Sequence, residues 1–228
     1  RVFLTGANPF ALSSEKLGHI GELVRRYLPA CETIGCFARV TDVGRKTDGE
    51  LKALRDLGYT GLSIGVETGH GPSLRFMDKG YGPEDIVTQT RRLDGAGIRY
   101  HFMYLAGLPG TGHGAEGAAA SAEVFNRTNP KIIGSSMLTL FPESRLYREV
   151  QAGAWAEESE LEKLEEVRVL VEGLKIPVWF ATLGASNAVV VQGNLPEDRS
   201  ALLAKLDAAR EEGREEALRQ YRRSLPHL

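Results

Sequence analysis

The stretch Gly61-Leu62-Ser63-Ile64-Gly65-Val66-Glu67-Thr68-Gly69 decides the fold. Gly61–Val66 reads as a short buried strand, and Glu67-Thr68-Gly69 closes it. Upstream, Asp48 caps a helix carrying Leu51, Leu54 and Leu57, with Gly58 as its stop. Downstream, a helix over about Pro83–Ala96 ends at Gly97, and Ile98–Leu105 is the next strand. A strand, a loop and an amphipathic helix leading to another strand make a parallel β-α unit.

The same unit recurs in both directions. Val2–Thr5 reads as a strand, followed by a helix capped at Ser13 or Ser14 with Leu17, Ile20, Leu23, Val24 and Tyr27 at helical spacing. Thr33–Val40 is another strand. A helix over Gly117–Asn126 precedes a strand over Lys131–Leu140, and a helix over Glu158–Leu174 precedes a short strand at Pro177–Ala181. Asp198 caps a last helix with Leu202, Leu206 and Ala209 on one face. The pattern predicts an α/β fold of parallel strands; periodicity leaves open whether it closes as a barrel or winds as an open sheet. In either case the functional loops follow the C-terminal ends of the strands.

Composition narrows the classes. The chain has 228 residues, is 42% hydrophobic and 25% charged, and carries a net charge of -2, so nothing points to nucleic acid or to an acidic membrane surface. No apolar run approaches the roughly 18 residues of a membrane-spanning helix. Two cysteines exclude a disulfide-built scaffold and a zinc or iron–sulfur site made of cysteine alone. The chain opens on Arg1-Val2-Phe3-Leu4-Thr5, inside an apolar strand pattern and without an initiating Met, which reads as a fragment lacking its N-terminal part.

Several strand-end segments could carry chemistry. Gly6-Ala7-Asn8-Pro9 is either a close-approach site for a ligand or an ordinary turn. Glu67 faces the mouth of a parallel fold, where it could accept hydroxyl hydrogen bonds as acidic residues do from a ribose diol, or pair with Lys79. Gly107-Leu108-Pro109-Gly110 lacks the endings of a phosphate loop and of a dinucleotide fingerprint, but suits a flat ring lying against backbone. His113 reads as a solvent-facing loop residue, His101 as a core histidine, His19 as surface and His227 as tail. Cys31 and Cys36 make a poor metal site, and Cys36 reads as a small buried hydrophobe. The segment from Asp198 to Arg223 holds six acidic and seven basic residues, including the pair Glu215 and Arg219, and reads as a solvated helical face. No catalytic or metal-binding residue can be assigned from spacing.

Taken in order, these segments resemble the radical S-adenosylmethionine (SAM) superfamily. The most specific match is Leu62-Ser-Ile-Gly-Val-Glu-Thr-Gly69 with Leu74, Met77 and Lys79-Gly80, which is similar to a block of the coproporphyrinogen-dehydrogenase-like and Elongator-catalytic-subunit-like branch. Val2–Pro9, Phe37-Ala38-Arg39, Ala96-Gly97-Ile98 and Leu105–Gly110 continue the resemblance. It implies a partial (β/α)6 TIM-like barrel of parallel strands with its first β-α unit largely absent. Residues 1–152 would form the barrel, and 153–228 a C-terminal helical extension with a short strand packed on it.

The resemblance also implies function. Family members hold a [4Fe–4S] cluster on three cysteines after the first strand, and SAM chelates its open iron to give a 5′-deoxyadenosyl radical. Those cysteines would lie upstream of Arg1. By the same resemblance Gly6, Ala7, Asn8 and Pro9 meet the SAM amino group, and Glu67 the ribose hydroxyls. Leu105, Gly107 and Leu108 lie against adenine, Leu140 lies in the Leu138–Phe141 segment whose backbone also meets it, and Arg39 faces SAM or substrate. Gly117 and Gly184 stand where one subgroup often carries His. The implied protein is a cytoplasmic enzyme served by a flavodoxin- or ferredoxin-type reductant, acting on an unknown small molecule or peptide, with no nucleic acid and no membrane. The alternatives are a binding module that has lost the cluster, and an unrelated β/α-barrel lyase or synthase.

Overall fold

The computed structural model describes residues 1–225; His227 lies outside them. The chain runs through β1 (Val2–Leu4), a 3-10 turn (Pro9–Ala11), α1 (Ser14–Tyr27), β2 (Ile34–Arg39), α2 (Val40–Gly44), α3 (Asp48–Asp56) and β3 (Tyr59–Glu67). It continues through α4 (Gly71–Phe76), α5 (Pro83–Ala96), β4 (Arg99–Ala106), α6 (Gly114–Phe125) and β5 (Ile132–Met137). It ends with α7 (Arg145–Gln151), α8 (Glu160–Gly173), β6 (Val178–Thr182), β7 (Gln192–Leu195), α9 (Arg199–Glu211) and α10 (Glu215–Arg223).

The seven strands form one sheet in chain order, β1 to β7. β1 to β6 are parallel and β7 returns antiparallel to β6. Sequential order with right-handed crossovers sends the connecting helices to one face, as in a barrel wall. A doubly wound sheet would have to reverse its order midway. Among the described residues no pairing joins β1 to β7, so the wall stays open.

Burial along the strands shows which face the helices cover. Leu62, Ile64 and Val66 of β3 and Tyr100, Phe102 and Tyr104 of β4 are buried, while Ser63, Gly65 and Glu67 and His101, Met103 and Leu105 are only partly covered. The register sets Ser63 beside His101 and Gly65 beside Met103, so the partly covered residues share one face. On the covered face Phe125 of α6 packs against Phe102 and Tyr104, with ring centroids 5.0 and 6.2 Å apart. Each fully buried aromatic of this kind stabilises the fold by about 1.5–3 kcal/mol. On the open face Phe3 and Phe37 meet edge to face at 5.1 Å.

Several local readings shift. Thr47, not Asp48, caps α3: its backbone is extended, its hydroxyl accepts from Glu50 N at 3.2 Å, and Glu50 accepts from Thr47 N at 2.6 Å. Asp198 does stand at the start of α9, but its carboxylate accepts from Asn194 N at 2.8 Å upstream and caps nothing in the helix. The strand expected over Lys131–Leu140 stops at Met137. Leu138 still donates to Ala106 O at 2.8 Å, but its own carbonyl accepts from Arg222, and the chain leaves the sheet. His101 is not a core residue. It lies on the open face, in a recess with Arg1, Arg99 and Lys131.

The charged C-terminal segment is two helices, broken at Gly213. Glu215 and Arg219 pair at 2.8 Å as expected. The face carrying Arg222, however, packs on the chain itself. Arg222 is nearly buried and bridges Glu157 at 2.8 Å and Glu160 at 2.7 Å. Among the described residues no helix is long and apolar enough to cross a membrane.

Candidate functional site

The C-terminal ends of β1 to β4 open on a cleft of about 460 Å³, which Ala7, Asn8, Arg39, Glu67, Lys79 and Met103 help to line. Glu67 reaches it through a local break in the ladder. The β3–β4 register shifts between Gly65 and Glu67, and Glu67 has φ 59°, a left-handed conformation that non-glycine residues rarely adopt. Tyr81 holds the break, its hydroxyl donating to Gly65 O at 3.2 Å and Val66 O at 3.0 Å. Burial, then the charge of Glu67, pushes the Tyr81 hydroxyl well above the usual phenol range, so it stays a donor.

The Glu67 carboxylate meets Lys79 Nζ at 3.3 Å, with each side chain about a quarter exposed (26% and 27%). Such a half-wet pair contributes little stability. Its oxygens remain available to hydroxyl donors.

Asn8 faces Glu67 from across the cleft rim. Its Nδ2 donates to Asp42 Oδ2 at 2.7 Å, and Arg39 N donates to the same oxygen at 2.8 Å. Asp42 therefore fixes the Asn8 amide, and leaves Asn8 Oδ1 buried without a donor among the described residues. A buried acceptor in that state costs free energy until a donor arrives. Arg39 itself is exposed.

Leu105 and Leu108 line an adjoining recess of about 270 Å³ that shares Met77 and Lys79 with the cleft. Behind it, the loop from Gly107 to Gly114 rests on the segment leading into α8. Gly107 has φ +93°, and a Cβ there would come within 2.9 Å of Lys163 Cε. Gly107 N donates to Glu166 Oε2 at 2.5 Å, Thr111 N to Ala156 O at 3.0 Å, Thr111 Oγ1 to Glu157 O at 2.7 Å and Gly112 N to Glu162 Oε1 at 2.9 Å. Trp155 packs on Gly110. At Gly117 a Cβ would overlap the Pro109 ring, so that position has no room for a larger residue while the loop lies where it does.

The structure thus brings Ala7, Asn8, Arg39 and Glu67 into one cleft, with Leu105 and Leu108 beside it. Gly6, Pro9 and Gly107 shape the backbone without lining either recess; Pro9 opens the 3-10 turn. Leu140 lies elsewhere, packed near Leu108, Leu138 and Trp155 and lining a separate cleft of about 660 Å³ beneath α10. His113 is exposed, 3.7 Å from Glu116, as a loop histidine should be. Cys36 is buried, and burial pushes its thiol up to about 12. Asp42, Tyr81, Met103, Glu158 and Glu166 were not singled out in the sequence. Asp42, the third residue of a short helix, had a local signal; Tyr81 and Glu166 act across 15 and 59 residues of chain.

Solved structures give this arrangement a context. The chain superposes on an N-terminally deleted (1–46) Elp3 of the archaeon Methanocaldococcus infernus with a TM-score of 0.66 at 16% identity, covering 93% of this chain and 54% of that one. It superposes on coproporphyrinogen III oxidase HemN of Escherichia coli, described as a radical SAM enzyme, with a TM-score of 0.60 at 17% identity, covering 75% and 38%. The fold is that of radical SAM enzymes. A radical SAM methyltransferase, TsrM of Kitasatospora setae, matches over 66% of this chain and 30% of its own with a TM-score of 0.52 at 19% identity. In sequence, 110 residues are 27% identical to the heme chaperone HemW of Bacillus subtilis (strain 168), covering 48% of this chain and 29% of that protein. No protein-family model matches the chain. The chain spans only about a third to a half of these relatives.

Proposed function

We propose that this chain holds the adenosyl and methionyl parts of SAM in the cleft of about 460 Å³, as the barrel of a radical SAM enzyme. One observation carries the reading: Asn8, after β1, and Glu67, at the end of β3, line one cleft on the open face of the sheet, with β2 between them. The Glu67 carboxylate accepts from both ribose hydroxyls, with Lys79 giving way. Asn8 Oδ1, which lacks a donor among the described residues, accepts from the ammonium group. Leu105 and the backbone after it form the apolar wall for adenine, and Arg39 stands at the rim toward substrate.

Bound beside a reduced [4Fe–4S] cluster, SAM supplies hydrogen-abstraction chemistry. This chain's residues do not fit the cluster itself. Cys36 is buried with its thiol held protonated, and Cys31 donates to Thr33 O at 3.3 Å. Among the described residues no group of three His, Cys, Asp or Glu could hold a metal ion. The reading therefore assigns the cluster ligands to residues other than these 228, and the electron to a flavodoxin- or ferredoxin-type protein. The substrate class stays at small molecule or peptide.

Isothermal titration with S-adenosylhomocysteine tests the reading. The wild-type chain should bind it, and Glu67→Ala should weaken binding at least about tenfold, the weight of one charge-assisted hydrogen bond. Equal affinity for the two proteins, or no binding by either, would refute it.

A further inference from the structure

Glu166 lies wholly buried on α8, yet its carboxylate serves β4 and not its own helix. Tyr104 donates to Oε1, and Gly107 N donates to Oε2 at 2.5 Å. Both donors belong to the strand and loop that form the adenine wall in the reading above. Glu158, 2% exposed, neighbours this carboxylate and packs against Gly114, whose Cβ would come within 2.7 Å of Glu158 Oε2. Neither Glu158 oxygen has a donor among the described residues.

The charged neighbours do not neutralise the pair. From α8, Lys163 Nζ goes to Glu157 at 2.7 Å and Glu160 at 3.6 Å, and Glu162 adds a like charge. From α10, Arg222 is taken by the same Glu157 and Glu160. From β4 comes the hydroxyl of Tyr104, already bound to Glu166. Burial, foremost, pushes Glu158 up to about 7, and burial with the charge of Glu158 pushes Glu166 well above the usual carboxylate range. Two buried carboxyls in contact are satisfied only when a proton lies between them.

We propose that Glu166 is a positioning residue for the Gly107–Gly114 loop, and that the single proton it shares with Glu158 makes the loop's hold on a ligand sensitive to pH. That the ligand is an adenosyl group rests on the function proposed above; the latch itself does not. With the proton in place, the pair ties β4 and its loop to α8. When it leaves, Glu158 has an outlet in the cleft of about 660 Å³ that it lines with Arg219 and Arg223. Gly114 then loses the side chain it packs on, and the loop loosens.

The test is backbone hydrogen exchange over residues 104–116 of the full chain between pH 5.5 and 8.5, corrected for intrinsic rates, with S-adenosylhomocysteine titrations alongside. Wild-type protection of the loop should fall about tenfold as pH rises past about 7. Glu158→Gln should keep the loop protected at high pH and flatten the profile. Glu166→Ala should lose protection at every pH, while Glu166→Gln, whose amide oxygen still accepts from Gly107, should restore much of it. A wild-type profile in Glu158→Gln would overturn the proposal, and would do so even if Glu166→Ala failed to fold. Affinity independent of pH while the loop loosens would overturn the coupling to ligand. A latch that behaves as described with no binding at any pH would support the latch and sink the cofactor reading alone.

Discussion

Glu158→Gln should make the protein more stable at pH 8 and leave it unchanged near pH 4.5. The wild-type carboxyl is raised by burial from 4.5 to about 7. Its folded form therefore binds the proton more tightly than its unfolded form, and the resulting stability is fully present below about 4.5. That stability is lost as pH rises toward about 7 and is gone above it. At 1.36 kcal/mol per pH unit the gap is worth about 3 kcal/mol, and sharing of the proton with Glu166 brings the expected difference to about 2–3 kcal/mol. A glutamine donates to Glu166 at every pH and removes the loss. Carboxylates held low by hydrogen bonds, Glu157, Glu162 and Glu215 among them, act with the opposite sign at acid pH. Both proteins share them, so the difference between variant and wild type isolates Glu158. Urea denaturation at half-unit steps from pH 4.5 to 8.5 measures that difference. A variant that is less stable at pH 8, or a difference that does not change with pH, would refute the reasoning.

Other expectations follow from the same geometry. Tyr81→Phe removes the donor to Gly65 O and Val66 O and should cost about 1–2 kcal/mol in urea denaturation, with weaker S-adenosylhomocysteine binding because Glu67 loses its support. Gly117→Ala drives a Cβ into the rigid Pro109 ring and should cost about 1–3 kcal/mol, whereas Gly134→Ala meets only the flexible end of Leu183 and should cost less than about 1 kcal/mol. Iodoacetamide at pH 8 should label half-buried Cys31 and leave Cys36, with its thiol pushed up to about 12, intact in the folded protein; mass spectrometry reads both.

Much of the fold was legible because its strands and long helices are written in local periodicity. Leu17, Leu51 and Leu54 recur at helical spacing, and all are buried where the pattern places them. The short elements α2, α4, α7 and β7 were not legible, since a segment of four to seven residues is fixed by what it packs on. The split between α9 and α10 is marked only by Gly213, and the nearly buried Arg222 gives no local sign that it will reach Leu138, 84 residues away. Openness of the sheet was equally beyond periodicity, because a barrel wall and an open sheet share the same strand pattern. At the site, Glu67 and Asn8 could be found from their places at strand ends. Their supports, Tyr81 and Asp42, depend on contacts 15 and 34 residues away in sequence. Glu158, just before α8, and Glu166, within it, stand among several other acids, and only the loop of β4 distinguishes Glu166.

A crystal structure of this chain soaked with SAM bears most directly on the central claim. The account predicts both ribose hydroxyls on the Glu67 carboxylate with Lys79 moved off it, the ammonium group at Asn8 Oδ1, and adenine against Leu105 and the backbone that follows. An adenosyl group bound elsewhere, with the Glu67–Lys79 pair still closed at 3.3 Å, would contradict it.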